Sequence, residues 1–247
     1  MLSPDIIEKY KHSRQYRNWW GREYPAIINK IIEPPHSRRM FLKKIKQNGT
    51  LLDVGCGNNS PYIIKTILPN IEYTGIDVGD YHQTEPNLAD NYIITTPDKF
   101  ADTIENINIS FDTVISSHNL EHCDERDKVL YAMIKVLKQG GYLYLSFPTE
   151  KSVKFPGPRR GTLNYYDDGS HKDVPPNFNK VIQTLEKENI QIIFKSKAYK
   201  PFFMFIIGML AECKSKKTKI VRNGTWAYWG FETVIWARKK YRIRNKR

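Results

Sequence analysis

Short apolar segments alternate with longer amphipathic segments over residues 48–150. The short segments predict buried strands at residues 50–54, 71–77, 92–95, 111–117 and 142–147. Apolar positions at helical spacing predict helices over residues 60–68, 99–106 and 124–138, the last of them stopped by Gly140-Gly141. Strands alternating with helices in this order predict an α/β fold, in which a parallel sheet is covered by helices on both faces.

The segment that precedes these strands predicts a helical cap over residues 1–48. We expect helices from residue 3, over residues 24–32 and over residues 37–47. The cap is rich in aromatic side chains, which we interpret as a packing cluster: Tyr16, Trp19, Trp20 and Tyr24.

The pattern loosens after Pro148, although we assign all of residues 49–247 to one domain. Residues 151–180 begin as a loop rich in proline, glycine and aspartate, and a helix follows over residues 176–189. Residues 190–194 and 231–237 predict two further strands. Residues 200–224 are an insertion that joins an apolar stretch, 202–210, to a basic run, 214–222.

Composition favours a folded protein without structural metal or disulfide bonds. The chain has 247 residues, of which 40% are hydrophobic, so it can bury a core. Its three cysteines, Cys56, Cys123 and Cys213, show no C-x-x-C pairing, and we therefore expect no metal site. No apolar run reaches 18 residues and residues 1–15 carry no signal core, so we expect a cytoplasmic protein.

Positive charge is concentrated at the C-terminal end. Residues 213–247 contain 12 basic residues and one acidic residue, a net charge of +11, whereas the whole chain carries +13. A cationic end of this kind predicts a polyanionic partner, such as nucleic acid, a phospholipid surface or a pyrophosphate-bearing substrate, and a solvated tail is the alternative.

The strongest chemical signal is the turn at residues 55–57. Gly55 and Gly57 come directly after a strand, Asp53 lies two residues before them, and Asp77 ends the next strand. Glycines let a ligand approach the backbone closely, and an acid in the position of Asp77 accepts the ribose hydroxyls of a nucleoside. A carboxylate at Asp53 would repel a pyrophosphate, so the charge favours S-adenosylmethionine over a nicotinamide dinucleotide.

Five ordered motifs resemble those of class I S-adenosylmethionine-dependent methyltransferases of the type 11-like group. They are Asp53-x-Gly55-x-Gly57, Gly75-Ile76-Asp77, Phe111-Asp112-Thr113-Val114, the stretch from Ser117 to His122, and the turn from Leu137 to Tyr142. Residues 161–172 separately resemble the segment after the fifth strand in bacterial methyltransferases of surface-polysaccharide biosynthesis. Asn59 stands where the family often has a third glycine. The resemblance implies a Rossmann-like, seven-stranded, mostly parallel sheet with an antiparallel last strand.

The resemblance also implies roles for individual residues. S-adenosyl-L-methionine would be the cofactor, and its methionine part would lie beside Asp53 and the turn. The implied cofactor-binding residues are Asp53, Gly55, Cys56, Gly57, Asp77, Val78, Asp98, Ser117, His118 and Asn119. If the acceptor is a hydroxyl, a base removes its proton, and the candidates are His122 and His171, then His118, with Glu121 also in reach.

The parts outside the motifs would select the acceptor. The tyrosines, aspartates and His171 of residues 161–172 are suited to sugar rings, and Arg159-Arg160 could hold a phosphate. We therefore expect O-methylation of a sugar in a surface glycan or its lipid-linked precursor. An RNA methyltransferase and a catalytically silent scaffold are the alternatives, and nucleic acid is the less favoured partner because no amino-methylating motif follows the fourth strand.

The insertion allows two interpretations. As part of the core, residues 202–210 would be an ordinary buried helix. As an interfacial anchor, they would enter a membrane while Lys214, Lys216, Lys217 and Lys219 met its anionic headgroups. The second interpretation adds an anionic membrane surface as a partner and a peripheral position at the inner face of the membrane.

Overall fold

The structure is a computed structural model that describes residues 33–81, 83 and 86–241. The helices expected from residue 3 and over residues 24–32, and the aromatic cluster of the cap, lie outside the described residues. Of the expected cap, the structure describes α1, Arg38–Lys44, which begins where the Ser37 side chain accepts a hydrogen bond from the Met40 N–H.

Seven strands of the described part of the chain form one sheet, in the order β3-β2-β1-β4-β5-β7-β6. Their bounds are β1 Thr50–Val54, β2 Glu72–Asp77, β3 Asn91–Ile94, β4 Phe111–Ser117, β5 Leu137–Pro148, β6 Ile190–Ser196 and β7 Glu232–Lys239. The pairs among β1 to β5 are parallel, whereas β7 is antiparallel to both β5 and β6. The expected Rossmann-like sheet with an antiparallel last strand is confirmed.

The helices cover both faces of the sheet. Besides α1, they are α2 Ser60–Ile67, α3 Phe100–Glu105, α4 Arg126–Val136, α5 Phe178–Lys187, α6 Phe202–Thr218 and α7 Thr225–Trp229. Two apolar layers result: one packs α3, α4 and α5 against the sheet around Phe111 and Leu143, and the other packs α1 and α2 around Phe41 and Tyr73. This double cover explains why β1, β2 and β4 are almost continuously buried.

The register of the strands brings their carboxyl ends to one edge. Val54 pairs with Ile76, Asp77 with Ile94, and Ser117 with Ser146. The turn after β1, the acid at the end of β2 and the residues that follow β4 therefore lie side by side. This is the edge at which open α/β sheets bind ligands.

The junction between α4 and β5 differs from the expectation. The helix ends at Val136, because Leu137 is already extended with φ −78° and ψ 126°. Gly140-Gly141 does not stop the helix; it lies within β5, where the pairing with β4 shifts between Phe111 and Thr113. The expectation of a helix to residue 138 was wrong, since the irregularity that the two glycines allow belongs to the strand.

The insertion is more helical than expected. The apolar stretch and the first half of the basic run form one helix of 17 residues, α6, and a short helix, α7, follows that the sequence did not predict. The two helices touch where Gly208 lies against the backbone of Gly224. Among the described residues, no helix combines the length and the apolar character needed to cross a bilayer.

Candidate active site

The turn after β1 is built around Gly55, whose φ is +73°. A side chain there would collide with Asn119, since a Cβ atom would lie 2.4 Å from the amide group of that residue. Gly57 is different: apart from its chain neighbours, no heavy atom of the described residues lies within 4 Å of the position that its Cβ would take. The turn therefore packs on Asn119 from one side and leaves room in front of Gly57.

Asp53 lies beneath this turn and is completely buried. Its Oδ2 accepts hydrogen bonds from Ser60 Oγ at 2.5 Å and from Tyr73 Oη at 2.9 Å. Burial raises the pKa of this carboxyl, against the opposing effects of the Arg38 charge and of the two hydrogen bonds. Within the described part of the chain its Oδ1 has no hydrogen-bond partner, which costs free energy for a buried carboxylate oxygen.

Asp77 ties the end of β2 to the turn. Its Oδ2 accepts from the Gly57 N–H at 2.7 Å, and its Oδ1 accepts from the Val78 N–H at 2.7 Å. Burial raises the pKa of Asp77, whereas these two backbone hydrogen bonds lower it. Because each carboxylate oxygen accepts only one of these bonds, each keeps acceptor capacity for a hydroxyl group.

Three further cofactor candidates lie on the turn after β1 or after the neighbouring strands β2 and β3. Val78 presents an apolar side chain that is 41% exposed. Asp98 is exposed in a 3-10 turn that follows β3, where a hydrogen bond from Thr96 lowers its pKa. Cys56 is buried, and burial raises the pKa of its thiol, so it fills space and is not a reactive group.

Ser117 ends β4, and His118 and Asn119 follow it; the three residues make different contacts. Ser117 Oγ lies 3.0 Å from Ser146 Oγ on β5. Asn119 fills the space against Gly55. His118 has a left-handed backbone with φ 52°, and its N–H donates to the Ser146 carbonyl at 2.8 Å.

The His118 ring lies between two carboxylates. Nδ1 donates to Glu121 Oε1 at 3.0 Å, and Nε2 donates to Glu232 Oε1 at 3.3 Å. Burial lowers the pKa of His118, but the hydrogen bonds and charges of Glu121 and Glu232 outweigh it and raise the pKa to about 10. With both ring nitrogens occupied, His118 has no nitrogen left to accept a proton from an acceptor molecule.

His122 and His171 lie side by side, with ring centroids 4.8 Å apart. His122 Nδ1 bonds to Ser170 Oγ at 3.0 Å, and His171 Nδ1 donates to the Tyr165 carbonyl at 2.6 Å. His122 is close enough to Asp77 for its charge to lower the pKa of that carboxyl. The structure thus brings both sequence candidates to the cofactor edge.

Residues 151–180 cover this edge and are ordered by their own polar groups. Asp167 Oδ2 accepts from the N–H groups of Arg159, Leu163 and Asn164. Tyr165 is buried, and its hydroxyl donates to the Lys172 carbonyl at 2.7 Å. Several groups that the sequence assigned to sugar recognition therefore hold the loop together instead.

The prediction that Arg159 holds a phosphate was wrong. Its guanidinium donates to both carboxylate oxygens of Glu212, at 2.9 and 2.7 Å, and to Ser215 Oγ at 2.8 Å. Only 2% of the Arg159 side chain is exposed. The ion pair connects the loop to α6, and the neighbouring Arg160 remains exposed.

Two contributors were missed from the sequence. Glu232 was assigned only to a strand, and nothing in its neighbourhood indicates that it meets His118, 114 residues away. Gln83 donates to the Gly57 carbonyl at 2.5 Å from a segment without a motif. A cavity of about 500 Å³ is not part of this site, since Gln139, Lys187 and Asn189 line it at the opposite ends of the strands.

A methyltransferase domain of the Rossmann-like type is defined by three features: the order of the strands, the glycine turn bonded to Asp77, and the residues that follow β4. A family model described as a methyltransferase domain matches residues 52–143. Residues 52–143 therefore carry a methyltransferase domain, in agreement with the motifs that resemble class I S-adenosylmethionine-dependent methyltransferases. The cofactor of this class is S-adenosylmethionine.

Individual proteins of named activity are only distantly similar to this chain in sequence. Ubiquinone biosynthesis O-methyltransferase of Pseudomonas paraeruginosa is 28% identical over 155 residues, which cover 59% of this chain and 64% of that protein. The 27-O-demethylrifamycin SV methyltransferase of Amycolatopsis mediterranei is 26% identical over 147 residues, covering 57% of this chain and 53% of its own. The chain thus spans less than two thirds of the length of these relatives.

A solved structure supports the fold over a larger part of the chain. The S-adenosylmethionine dependent methyltransferase of Mesorhizobium loti superposes with a TM-score of 0.52, covering 81% of this chain and 96% of that one at 12% identity. The site described above fits the cofactor of the class: Gly57 leaves space in front of the backbone, and Asp77 keeps acceptor capacity for ribose hydroxyls. The exposed face of Val78 provides an apolar support for a purine ring.

Proposed function

We propose that the protein transfers the methyl group of S-adenosylmethionine to a hydroxyl group of its acceptor. The observation that carries the proposal is the hydrogen bond from the Gly57 turn to Asp77, together with the position of His122. His122 is near enough for its charge to lower the pKa of Asp77. A ribose-binding carboxylate and a pair of histidines at one sheet edge would bring a nucleoside and a hydroxyl together. The named activities of the two relatives, both O-methyltransferases, support the same chemistry.

S-adenosylmethionine supplies an electrophilic methyl group on a sulfonium; the C–S bond would break as the C–O bond forms, the electron pair would stay on sulfur, and the hydroxyl proton would pass to a base or to water. The residues of this chain have to bind the cofactor and the acceptor, align the two and exclude water, because alignment provides much of the rate in such a displacement. Asp77 and Val78 would orient the nucleoside. Asp53 would act through the turn, since it is buried and held by Ser60 and Tyr73.

His122 and His171 would face the acceptor hydroxyl, because they are the histidines of this edge whose rings are not enclosed between two carboxylates. His118 would orient Glu121 and Glu232 instead. Tyr166, which is 61% exposed, would be available to contact the acceptor from the loop.

The acceptor would be either a sugar hydroxyl on a lipid-linked glycan, as the sequence suggests, or a hydroxyl of a ubiquinone precursor or of a rifamycin, as the names of the relatives suggest. Both carry a hydroxyl on a bulky, partly apolar molecule. The internally bonded Asp167 and Tyr165 leave fewer free polar groups for a sugar than the sequence implied. The acceptor assay below separates the two.

We further propose that α6 holds the protein at an anionic membrane surface from the cytoplasmic side. Phe202 and Leu210 are 70% and 75% exposed on this helix, and only Met204, Gly208 and Ser215 are buried. A basic end follows the apolar surface, with Lys214, Lys216, Lys217 and Lys219. An apolar helix surface next to cations matches the chemistry of an anionic lipid interface.

Methyl transfer tests the main proposal. The purified full chain is incubated with S-adenosylmethionine carrying a deuterated methyl group, together with lipid-linked glycan extracts or with phenolic and quinol acceptors. Mass spectrometry should show a mass increase on one acceptor class, located at an O-methyl group. Transfer to nitrogen or to RNA would contradict the proposal, and cofactor binding without transfer to any acceptor would favour a silent scaffold.

Cosedimentation with vesicles tests the membrane proposal. The chain should bind vesicles containing phosphatidylserine and remain unbound with phosphatidylcholine alone. Equal binding to both compositions, or to neither, would contradict a role for the basic end of α6.

A further inference from the structure

Three metal-ligating side chains meet beside the proposed cofactor site. They are Glu121, His122 and His171, and one ligand atom of each lies within 4.8 Å of the other two. Glu121 and His122 belong to the 3-10 turn after β4, whereas His171 comes from the loop after β5. Two separate segments thus converge on one point of the sheet edge.

Glu121 provides the first sign that this point is built for a ligand. The side chain is completely buried, and its Oε1 is held by His118. Its Oε2 has no hydrogen-bond partner among the residues that the structure describes. A buried carboxylate oxygen without a partner costs free energy, and a cation is the natural ligand that would remove this cost.

The hydrogen bonds of the two histidines provide an independent sign. His171 Nδ1 must be the protonated nitrogen, because the Tyr165 carbonyl can only accept. Ser170 Oγ donates to Asp168 Oδ1 at 2.5 Å, so it accepts from His122 Nδ1. When either ring is neutral, as a metal ligand must be, Nε2 therefore carries the lone pair, and the hydrogen bond at Nδ1 fixes the ring as it does in known metal sites.

We propose that Glu121, His122 and His171 bind a divalent transition-metal ion. Two imidazoles and one carboxylate suit Zn²⁺, Fe²⁺ or Co²⁺, and three protein ligands leave coordination positions open. Bonds of about 2.1 Å place ligand atoms about 3.5 Å apart, so the three groups close by about 1 Å on binding. Asp168, with Oδ2 at 3.9 Å from His171 Nε2, is the nearest further carboxylate.

The surrounding charges are compatible with this ion. His118 contacts Glu121 through the oxygen that the metal does not need, and Arg126 donates to the Glu121 backbone carbonyl at 3.3 Å rather than to its carboxylate. Resting on the proposed function, the ion would polarise the acceptor hydroxyl and orient it toward the methyl group. Binding of the ion itself does not depend on that function.

Cobalt binding tests the site directly. The full chain without a purification tag is freed of metal with a chelator, desalted and titrated with Co²⁺, whose visible absorption reports on its coordination. We expect one equivalent to bind and Zn²⁺ to displace it. Glu121→Gln and His171→Gln should each weaken the affinity at least tenfold, and Ser170→Ala should weaken it about tenfold by releasing His122.

Asp124→Asn is the matched control, because it removes an exposed carboxylate next to the cluster, and its affinity should equal that of the wild type. If Glu121→Gln fails to fold, His122→Gln serves in its place, since this side chain is only half-buried. No stoichiometric Co²⁺ binding, or equal binding by the variants, would overturn the proposal. Cofactor binding by the metal-free protein is measured separately, so a failed metal site and a failed methyltransferase function give different results.

Discussion

The glycine turn and the loop after β5 lie on the same sheet edge but are held in different ways. The turn is fixed largely by contacts that are close in sequence, such as the hydrogen bond from the Gly57 N–H to Asp77, 20 residues apart, and it also packs on Asn119. The loop combines bonds within itself, such as those that Asp167 accepts, with distant partners, such as Arg159 with Glu212. The cofactor half is therefore a local motif, whereas the acceptor half depends on the rest of the fold.

The largest expected effect is on the loop. Arg159→Met should lower the free energy of unfolding by about 3 kcal/mol, because it leaves the Glu212 carboxylate without its buried partner. Urea unfolding measures this change. Arg160→Met, at the exposed neighbour, should change stability by less than about 0.5 kcal/mol. Equal stability of the two variants would show that the loop does not depend on α6.

A substitution of the acid that is bonded to the glycine turn should affect cofactor binding. Asp77→Asn should weaken S-adenosylhomocysteine binding about 100-fold, since charge-assisted hydrogen bonds are worth about 1.5–3 kcal/mol each. Calorimetry gives the two dissociation constants. Asp80→Asn, an exposed acid three residues later, should bind as the wild type does. A loss of affinity in both variants would indicate a general charge effect rather than a specific contact.

We expect Asp53 to lower the stability of the folded protein at neutral pH while it supports cofactor binding. Its pKa is raised in the folded state, so it stabilises the protein at acid pH, and this contribution is lost as pH rises through the folded-state pKa. Asp53→Asn should therefore be more stable than the wild type at pH 7, by about 1 kcal/mol, and should bind the cofactor more weakly. The stability difference should vanish toward pH 3. A variant less stable at pH 7 would contradict this sign.

The smallest effect concerns the basic end of α6. Lys216→Gln should weaken binding to phosphatidylserine vesicles about fivefold, since one lysine near an anionic surface contributes about 1 kcal/mol. Lys187→Gln, an exposed lysine at the opposite edge of the sheet, is the control and should have no effect. If both substitutions reduce vesicle binding equally, the net charge of the protein alone is responsible.

The same contrast explains which features the sequence could predict. β1 and β4 were predicted with their observed bounds, and the Asp53, Gly57 and Asp77 positions were expected, because their periodicity and spacing are local. The Arg159–Glu212 pair, the Glu232 contact and the short helix α7 were not predicted, since no pattern within one segment reveals a partner more than 50 residues away. Boundaries moved where a strand tolerated glycines, as in β5.

The roles of the site residues stay predictions, although the structure limits them. Asp53 is too deeply buried to present an exposed charge to a ligand, and His118 is enclosed by Glu121 and Glu232. Both facts depend on packing, which composition and spacing do not contain. His122 and His171 were named from their place after parallel strands, and the sheet brings them together as that placement implies.

The central claim is that the Gly55–Gly57 turn and Asp77 bind a cationic nucleoside cofactor. A calorimetric titration of the wild-type chain tests this claim most directly. S-adenosylmethionine and S-adenosylhomocysteine should bind with one equivalent, and NAD⁺ should give no heat at the same concentrations. Tight binding of NAD⁺, or no binding of either sulfur nucleoside, would contradict the account.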